Sequence, residues 1–223
     1  MTAGREAGRF CLEEKMYLPR HFTENDPETL RAFVEANDFA VLVATREGRP
    51  EAAHLPMILD AARGPHGTLL AHVARANPIW RAFDGRTEAL AVFHGAHAYV
   101  SPTWYADGGA AAVPTWNYAA VHAYGAPRVV DDPAAARAVL AKLTALYEKG
   151  PGAWTMDFAA KTVEAMLPGI VAFEMPVARM EGKWKLSQNR TADDRAGVIA
   201  ALERSSDANA RATATLMRAR EPR

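Results

Sequence analysis

Residues 39–60 read FAVLVATREGRPEAAHLPMILD, and the fold class turns on this stretch. Phe39–Arg46 is an apolar run rich in β-branched residues, the composition of a strand. Glu47-Gly48-Arg49-Pro50 carries turn chemistry, and residues 50–60 supply a second run. Two such runs joined by a short turn predict a β-hairpin. A link this short cannot carry a parallel crossover.

Downstream the pattern continues. Residues 61–67, AARGPHG, read as a loop, and GTLLAHV (67–73) resumes the sheet. In NPIWRAFD (77–84), Asn77 is a cap and Pro78 suits the first helical position, predicting a short helix. TEALAVFH (87–94) and HAYVSP (97–102) read as further strands, and ADGGAAAVP (106–114) as an exposed flexible loop. VVDDP (129–133) ends this series, and a helix begins at Asp132-Pro133. Its stripe is Val139, Leu140, Leu143, Leu146 and Tyr147, with Gly150 as the stop. A further helix is expected over 154–167, then a late strand, GIVAFEMPVARMEGKWKL (169–186). From Ala192 the alternating charges predict a solvated tail, helical to about Glu203 and frayed beyond.

Upstream, Asp26-Pro27-Glu28 offers a helix cap, with Leu30, Phe33 and Val34 as the apolar stripe. MYLPRHF (16–22) reads as an anchored entry segment, and Met16 also stands where a second translation start would. Residues 1–15 lack apolar periodicity and read as a poorly ordered extension. Many strands on short links, with helices at the periphery, predict a mainly β (α+β) antiparallel barrel. The organisation expected is an extension over 1–15, a barrel domain over 16–190 and a tail over 191–223.

Composition narrows the function. The chain has 223 residues, 49% of them hydrophobic, enough for a substantial core. Lys+Arg and Asp+Glu balance at 26 each, so no basic field draws in nucleic acid. The single cysteine, Cys11, forms no intrachain disulfide and no thiolate cluster. No apolar run reaches the roughly 18 residues of a membrane helix, and no secretory h-region opens the chain, so a cytoplasmic location is expected.

Four polar stretches interrupt apolar strands. In AAHLPMIL (52–59), His54, Leu55 and Pro56 lie where proline removes a ladder donor. The freed main-chain groups suit a planar heterocycle; an irregular barrel edge with a satisfied histidine accounts for the same residues. In AHVARANPIWR (71–81), His72, Arg75, Asn77 and Arg81 read as an anion site at a helix start, or as a capped surface helix with solvated arginines. VPTWNYAAVHAYG (113–125) alternates, with Trp116, Tyr118, His122 and Tyr124 on one face and Asn117, Ala119 and Val121 on the other. In WKLSQNR (184–190), turn chemistry explains Ser187 and Asn189, and Arg190 is free to reach an anion or a partner subunit. No metal site is expected: His94 and His97 have opposite parity and point apart unless a bulge intervenes.

Taken in order, MYLPRHF, HLPMIL, HVARANPIWRAF, GAHAYVSPTWY, VPTWNYAAVHAYG and KLSQNR resemble the signature blocks of the PaiB family. That family is described as FMN-binding negative transcriptional regulators on a split β-barrel of the pyridoxamine-phosphate-oxidase type. The resemblance runs from Met16 to about Arg190. It implies a homodimer with FMN at the subunit interface. His54-Leu55-Pro56 would face the isoalloxazine edge, and His72, Arg75, Asn77 and Arg81 would lie near the phosphate. Trp80, Trp116, Asn117 and Tyr118 would wall the pocket, with Arg190 nearby. DNA enters through the family label alone. Two other readings stand beside it. One is a flavin-dependent oxidoreductase, with His97, Tyr99, His122 or Tyr124 as proton donors. The other is a barrel for haem or pyridoxal phosphate, for which Lys183 and Lys185 are the nearest lysines.

Overall fold

The computed structural model describes residues 16–110 and 112–220; the extension expected over 1–15 lies outside them. The chain runs through Thr23–Glu24 (β1), Pro27–Ala36 (α1), Phe39–Arg46 (β2), Arg49–Pro56 (β3), Ile58–Asp60 (β4) and Thr68–Ala74 (β5). Ala89–Val100 (β6), Thr115–Gly125 (β7), Arg128–Val129 (β8), Pro133–Tyr147 (α2) and Lys161–Met166 (α3) follow. Ile170–Lys185 (β9), Ala192–Glu203 (α4) and Ala208–Ala219 (α5) complete it.

The hairpin forms as expected: β2 and β3 pair antiparallel from Phe39 opposite Pro56 to Arg46 opposite Arg49. Glu47 and Gly48 both take positive φ, 53° and 75°. This matches the twist of a two-residue hairpin turn. All strand pairs are antiparallel, in the order β3-β2-β6-β7-β9-β5-β4. The two ends of that path, β3 and β4, are one chain segment interrupted at Met57. Its first part pairs with β2 and its last part with β5, which closes the ring. Met57 is buried, and its N–H leaves the ladder for the Asp38 carbonyl, 2.8 Å away.

β9 is the common wall. Ile170–Pro176 pairs with β5 and Val177–Lys185 with β7. The exchange of partner falls at Pro176, which has no N–H to offer a ladder. Leu42, Leu69, Phe93, Val121, Phe173 and Met175 fill the interior, each at most 2% exposed. α1 is capped by the Asp26 carboxylate and adds Leu30, Phe33 and Val34 to this core. Each such side chain contributes roughly 2 kcal/mol on burial. α2 lies outside the barrel, with Val139 and Leu143 on Leu70 and Ala172.

Three local expectations are corrected. TEALAVFH and HAYVSP are one strand, β6, continuous through a bulge between His94 and His97. The helix expected over 154–167 starts only at Lys161. Asp157 takes the Ala159 N–H on its own carboxylate at 2.9 Å, a local turn that competes with helix. The chain does not fray after Glu203: Asp207 caps α5, which buries Ala210, Thr213, Ala214 and Met217. That i, i+3, i+4, i+7 spacing is helical, but Ala and Thr announce it weakly.

Candidate functional site

Along β5, Leu69, Ala71 and Val73 face the interior and His72 the opposite side. His72 is half-buried, and among the described residues its Nδ1 has no hydrogen-bond partner. Burial holds its pKa below the usual histidine value. The chain then turns at Asn77, whose N–H donates to the Ala74 carbonyl at 2.9 Å. The expected short helix is a 3-10 turn, Pro78–Ala82, and the Asn77 side chain accepts its Ile79 N–H at 3.1 Å. The anion reading therefore rests on side chains.

Two arginines flank Trp80, their guanidinium carbons 5.7 Å (Arg75) and 5.8 Å (Arg81) from its ring centroid. Arg75 donates to the carbonyls of Pro168 (2.7 Å) and Ile170 (3.1 Å), and Trp80 Nε1 donates to the Arg75 carbonyl (2.9 Å). These acceptors are neutral, and among the described residues neither arginine has a carboxylate partner. Two guanidiniums without a carboxylate partner, on the segment that follows the unpartnered His72, are donors of the kind that bind a phosphate monoester. Arg75 and Trp80 also form one wall of a cavity of about 440 Å³, facing Pro133, Ala136 and Arg137 of α2. That volume is in the range of small-molecule sites.

His54-Leu55-Pro56 closes β3. His54 is exposed, Leu55 is buried in the core, and Pro56 is half-buried opposite Phe39. Parity therefore turns Leu55 inward and leaves His54 and Pro56 on the outer wall. Ile58 pairs with Leu70, and β3 also touches β5. β3 touches the 3-10 turn as well. The residues expected near one ligand from β3, β5 and the 3-10 turn are thus neighbours.

β7 divides. Asn117, Ala119, Val121 and Ala123 are buried in the barrel, while Trp116, Tyr118, His122 and Tyr124 face outward. Asn117 does not share a surface with Trp116 and Tyr118. Its amide donates to Ser187 Oγ at 2.9 Å and lies 3.4 Å from Met217 Sδ. Ser187 sits in the left-handed region (φ 62°) and returns a hydrogen bond to Asn117 Oδ1 at 3.2 Å. Asn117 thereby ties β7 to the loop after β9 and to α5. Arg190 lies over the ring of Tyr105, 4.5 Å from its centroid. Lys183 and Lys185 hold main-chain oxygens, of Tyr17 (2.8 Å) and Trp116 (2.5 Å) respectively.

The bulge corrects the histidine expectation. His94 and His97 have opposite parity, yet their ring centroids are 4.7 Å apart, because the extra residue turns both to one side. Gly95 lies in the bulge, where a side chain would meet the Phe33 ring at 2.7 Å. His97 also stands 6.3 Å from Trp116. Among the described residues no three His, Cys, Asp or Glu side chains cluster in a metal-binding group.

A second cavity, about 470 Å³, opens beside this bulge between Trp116, Tyr99, Trp104 and the α4–α5 turn. It shares no lining residue with the first. Trp104 and Arg204 were missed in the sequence because they come together only through the packing of the C-terminal helices.

Comparison with known proteins covers most of the chain. Residues 16–179 match the family model described as "Putative FMN-binding domain". The chain is 37% identical over 205 residues to the protease synthase and sporulation protein PAI 2 of Bacillus subtilis, covering 91% of this chain and 96% of that one. Among solved structures it resembles the flavocytochrome Anf3 of Azotobacter vinelandii, with TM-score 0.56 and 16% identity over 80% of this chain and 78% of that one. It also resembles the FAD and heme binding protein of Mycobacterium smegmatis, with TM-score 0.55, 17% identity and 78% of each chain covered. The structural likenesses establish the split-barrel fold.

Proposed function

We propose, for a chain that belongs to the PaiB family of FMN-binding split-barrel proteins, that two copies associate and enclose FMN at their seam. One observation carries this: the expected site residues fall into two sets that a single chain keeps apart. His54, Pro56, His72, Arg75, Asn77, Trp80 and Arg81 form one set around β3, β5 and the 3-10 turn. Trp116 and Tyr118 form the other on the outer face of β7, with Arg190 on the loop after β9. A second copy would bring the two together. Leu55 and Asn117 act from inside, as core and as a hydrogen-bonded tie.

In this reading Arg75 and Arg81 hold the phosphate, with His72 beside them, and Trp80 keeps the guanidiniums in place. Trp116 and Tyr118 exclude water from the other side. FMN, when bound, supplies hydride and one-electron chemistry. The regulatory role follows from flavin occupancy as a signal; with 26 basic and 26 acidic residues the chain offers no field for tight DNA binding. Among the described residues no helix is long and apolar enough to cross a membrane, and we assign the protein to the cytoplasm. An oxidoreductase reading draws on His97 and Tyr99 beside the second cavity.

The test is a titration with FMN and with riboflavin, read by flavin fluorescence, alongside the mass in solution. Expected are tight FMN binding, one per chain, and twice the mass of the chain. Arg81→Ala should weaken FMN by about tenfold or more and riboflavin hardly at all, since only the phosphate needs the charge. Equal loss of both ligands would remove the phosphate assignment, and no binding at micromolar FMN would remove the whole reading. Bleaching of bound flavin by NADH or NADPH at useful rates would favour the oxidoreductase.

A further inference from the structure

We infer that the cleft at the end of the β6–β7 hairpin is a binding site for a planar aromatic carboxylate, separate from the phosphate site. Its walls are rings: Trp116 and Tyr99 meet edge to face at 6.0 Å, and Trp104 stands across from them. Trp116 and Tyr99 are 53% and 45% exposed, far more than ordinary core rings. Buried Ala98, Leu202 and Ala210 form the floor. Small floor residues between large flat walls leave a slot that a flat ring system fills by stacking and edge contacts.

The unengaged donors of the rim set the polar group the ligand must present. Arg204 lines the cleft, and among the described residues its side chain makes no hydrogen bond or salt bridge; its charge reaches Glu203 only through space. Its neighbour Glu203 is already held by Arg218 at 2.6 and 3.0 Å. Asp207, the cleft's carboxylate, keeps its charge and caps α5 through one oxygen, which accepts the Asn209 N–H at 2.9 Å. The rim group whose hydrogen-bond donors are unengaged is thus a guanidinium, which pairs with a carboxylate through two parallel hydrogen bonds. His97 adds a polar contact. Its Nδ1 lies 3.2 Å from the Gly95 carbonyl, which can only accept. In the neutral ring Nε2 is therefore an acceptor, suited to a phenolic or heterocyclic hydrogen on the ligand.

The walls are built to stay in place. Gly197 of α4 touches the 3-10 turn that carries Trp104, and a Cβ there would fall on the Trp104 carbonyl oxygen. The α4–α5 turn is fixed by the Asp207 N–H donating to Ser205 Oγ at 3.1 Å. The site rests on the family reading in placing its ligand beside a flavin, with Trp116 the wall the two would share; the other walls come from the same chain.

Calorimetric titration of the FMN-loaded protein with 2-naphthoate, and with neutral 2-naphthamide, tests the assignment. Naphthoate should bind about tenfold or more tightly than the amide, and Arg204→Ala should erase that difference while leaving FMN affinity unchanged. Tyr99→Ala should weaken both probes. Arg204→Gln gives the same reading if loss of the whole side chain disturbs the turn. No heat at millimolar naphthoate, equal binding of the two probes, or an Arg204→Ala protein that keeps the preference would overturn the proposal. Parallel loss of FMN in that variant would also overturn it, by making the cleft part of the flavin pocket. Failure to bind FMN at all, with naphthoate still preferred, would instead strike the flavin reading.

Discussion

His72, placed beside the phosphate in the proposed site, carries a cost to the fold. Its ring is half-buried with Nδ1 unpartnered, and burial lowers its pKa; His94 and His122 are lowered too, chiefly by burial. A histidine that resists charging in the folded state titrates normally once unfolded, near pH 6.5. Unfolding then takes up protons as pH falls below that value, so stability is full above it and declines beneath it. Thermal melts of the ligand-free protein should show a lower midpoint at pH 5.5 than at pH 7.5, and His72→Gln should reduce the gap. A gap of unchanged size would clear His72 of the effect. Spacing put His72, Arg75, Asn77 and Arg81 together as an anion site or a capped surface helix; the fold sets Arg75 and Arg81 against Trp80 and Asn77 at the start of its turn. Asn117 was not legible in the same way. Its parity was visible, yet the partners that hold it, Ser187 and Met217, lie 70 and 100 residues downstream.

Elements were legible where their signals are local and strong. Asp26, Asn77 and Asp132 all cap as read, because a side-chain acceptor followed by proline needs no tertiary help. The bulge in β6 was hidden, since nothing in Gly95-Ala96 announces an extra residue until Phe33 arrives from α1. Gly95→Val should therefore force the Phe33 ring aside and destabilise the protein by about 1–3 kcal/mol. It should also part His94 from His97. Denaturant unfolding measures the first effect, and the separate histidine titrations seen by NMR measure the second. α5 was hidden for a different reason: its buried face is alanine, threonine and a single methionine. Met217 is fully buried against the core, so Met217→Ala should cost about 2–5 kcal/mol. A loss below about 0.5 kcal/mol, the scale of surface substitutions, would mean that the helix is ornamental.

At the scale of the whole molecule, the outer face of the sheet is the seam of the proposed dimer. Register sets His54, Val41, Val92, His122 and Glu181 in one row across β3, β2, β6, β7 and β9. The row beside it runs Ala52, Val43, Leu90, Tyr124 and Arg179. Phe39, opposite Pro56 at the start of β2, is 65% exposed. An apolar centre rimmed by histidine, tyrosine and charge has the layout of a protein interface. Two copies meeting on this face would seal the valines and set the outer residues of β7 against the neighbour's barrel. Val92 sits mid-row, so Val92→Lys would place a charge where the seam should be dry. A buried, unpaired ammonium costs far more than one contact. Sedimentation should then show single chains, with secondary structure retained by circular dichroism. If FMN needs both copies, its affinity should fall in the same variant by about a hundredfold, far beyond the effect of a surface charge. Single chains that keep full FMN affinity would place the whole flavin site within one barrel and leave the seam without a part in it.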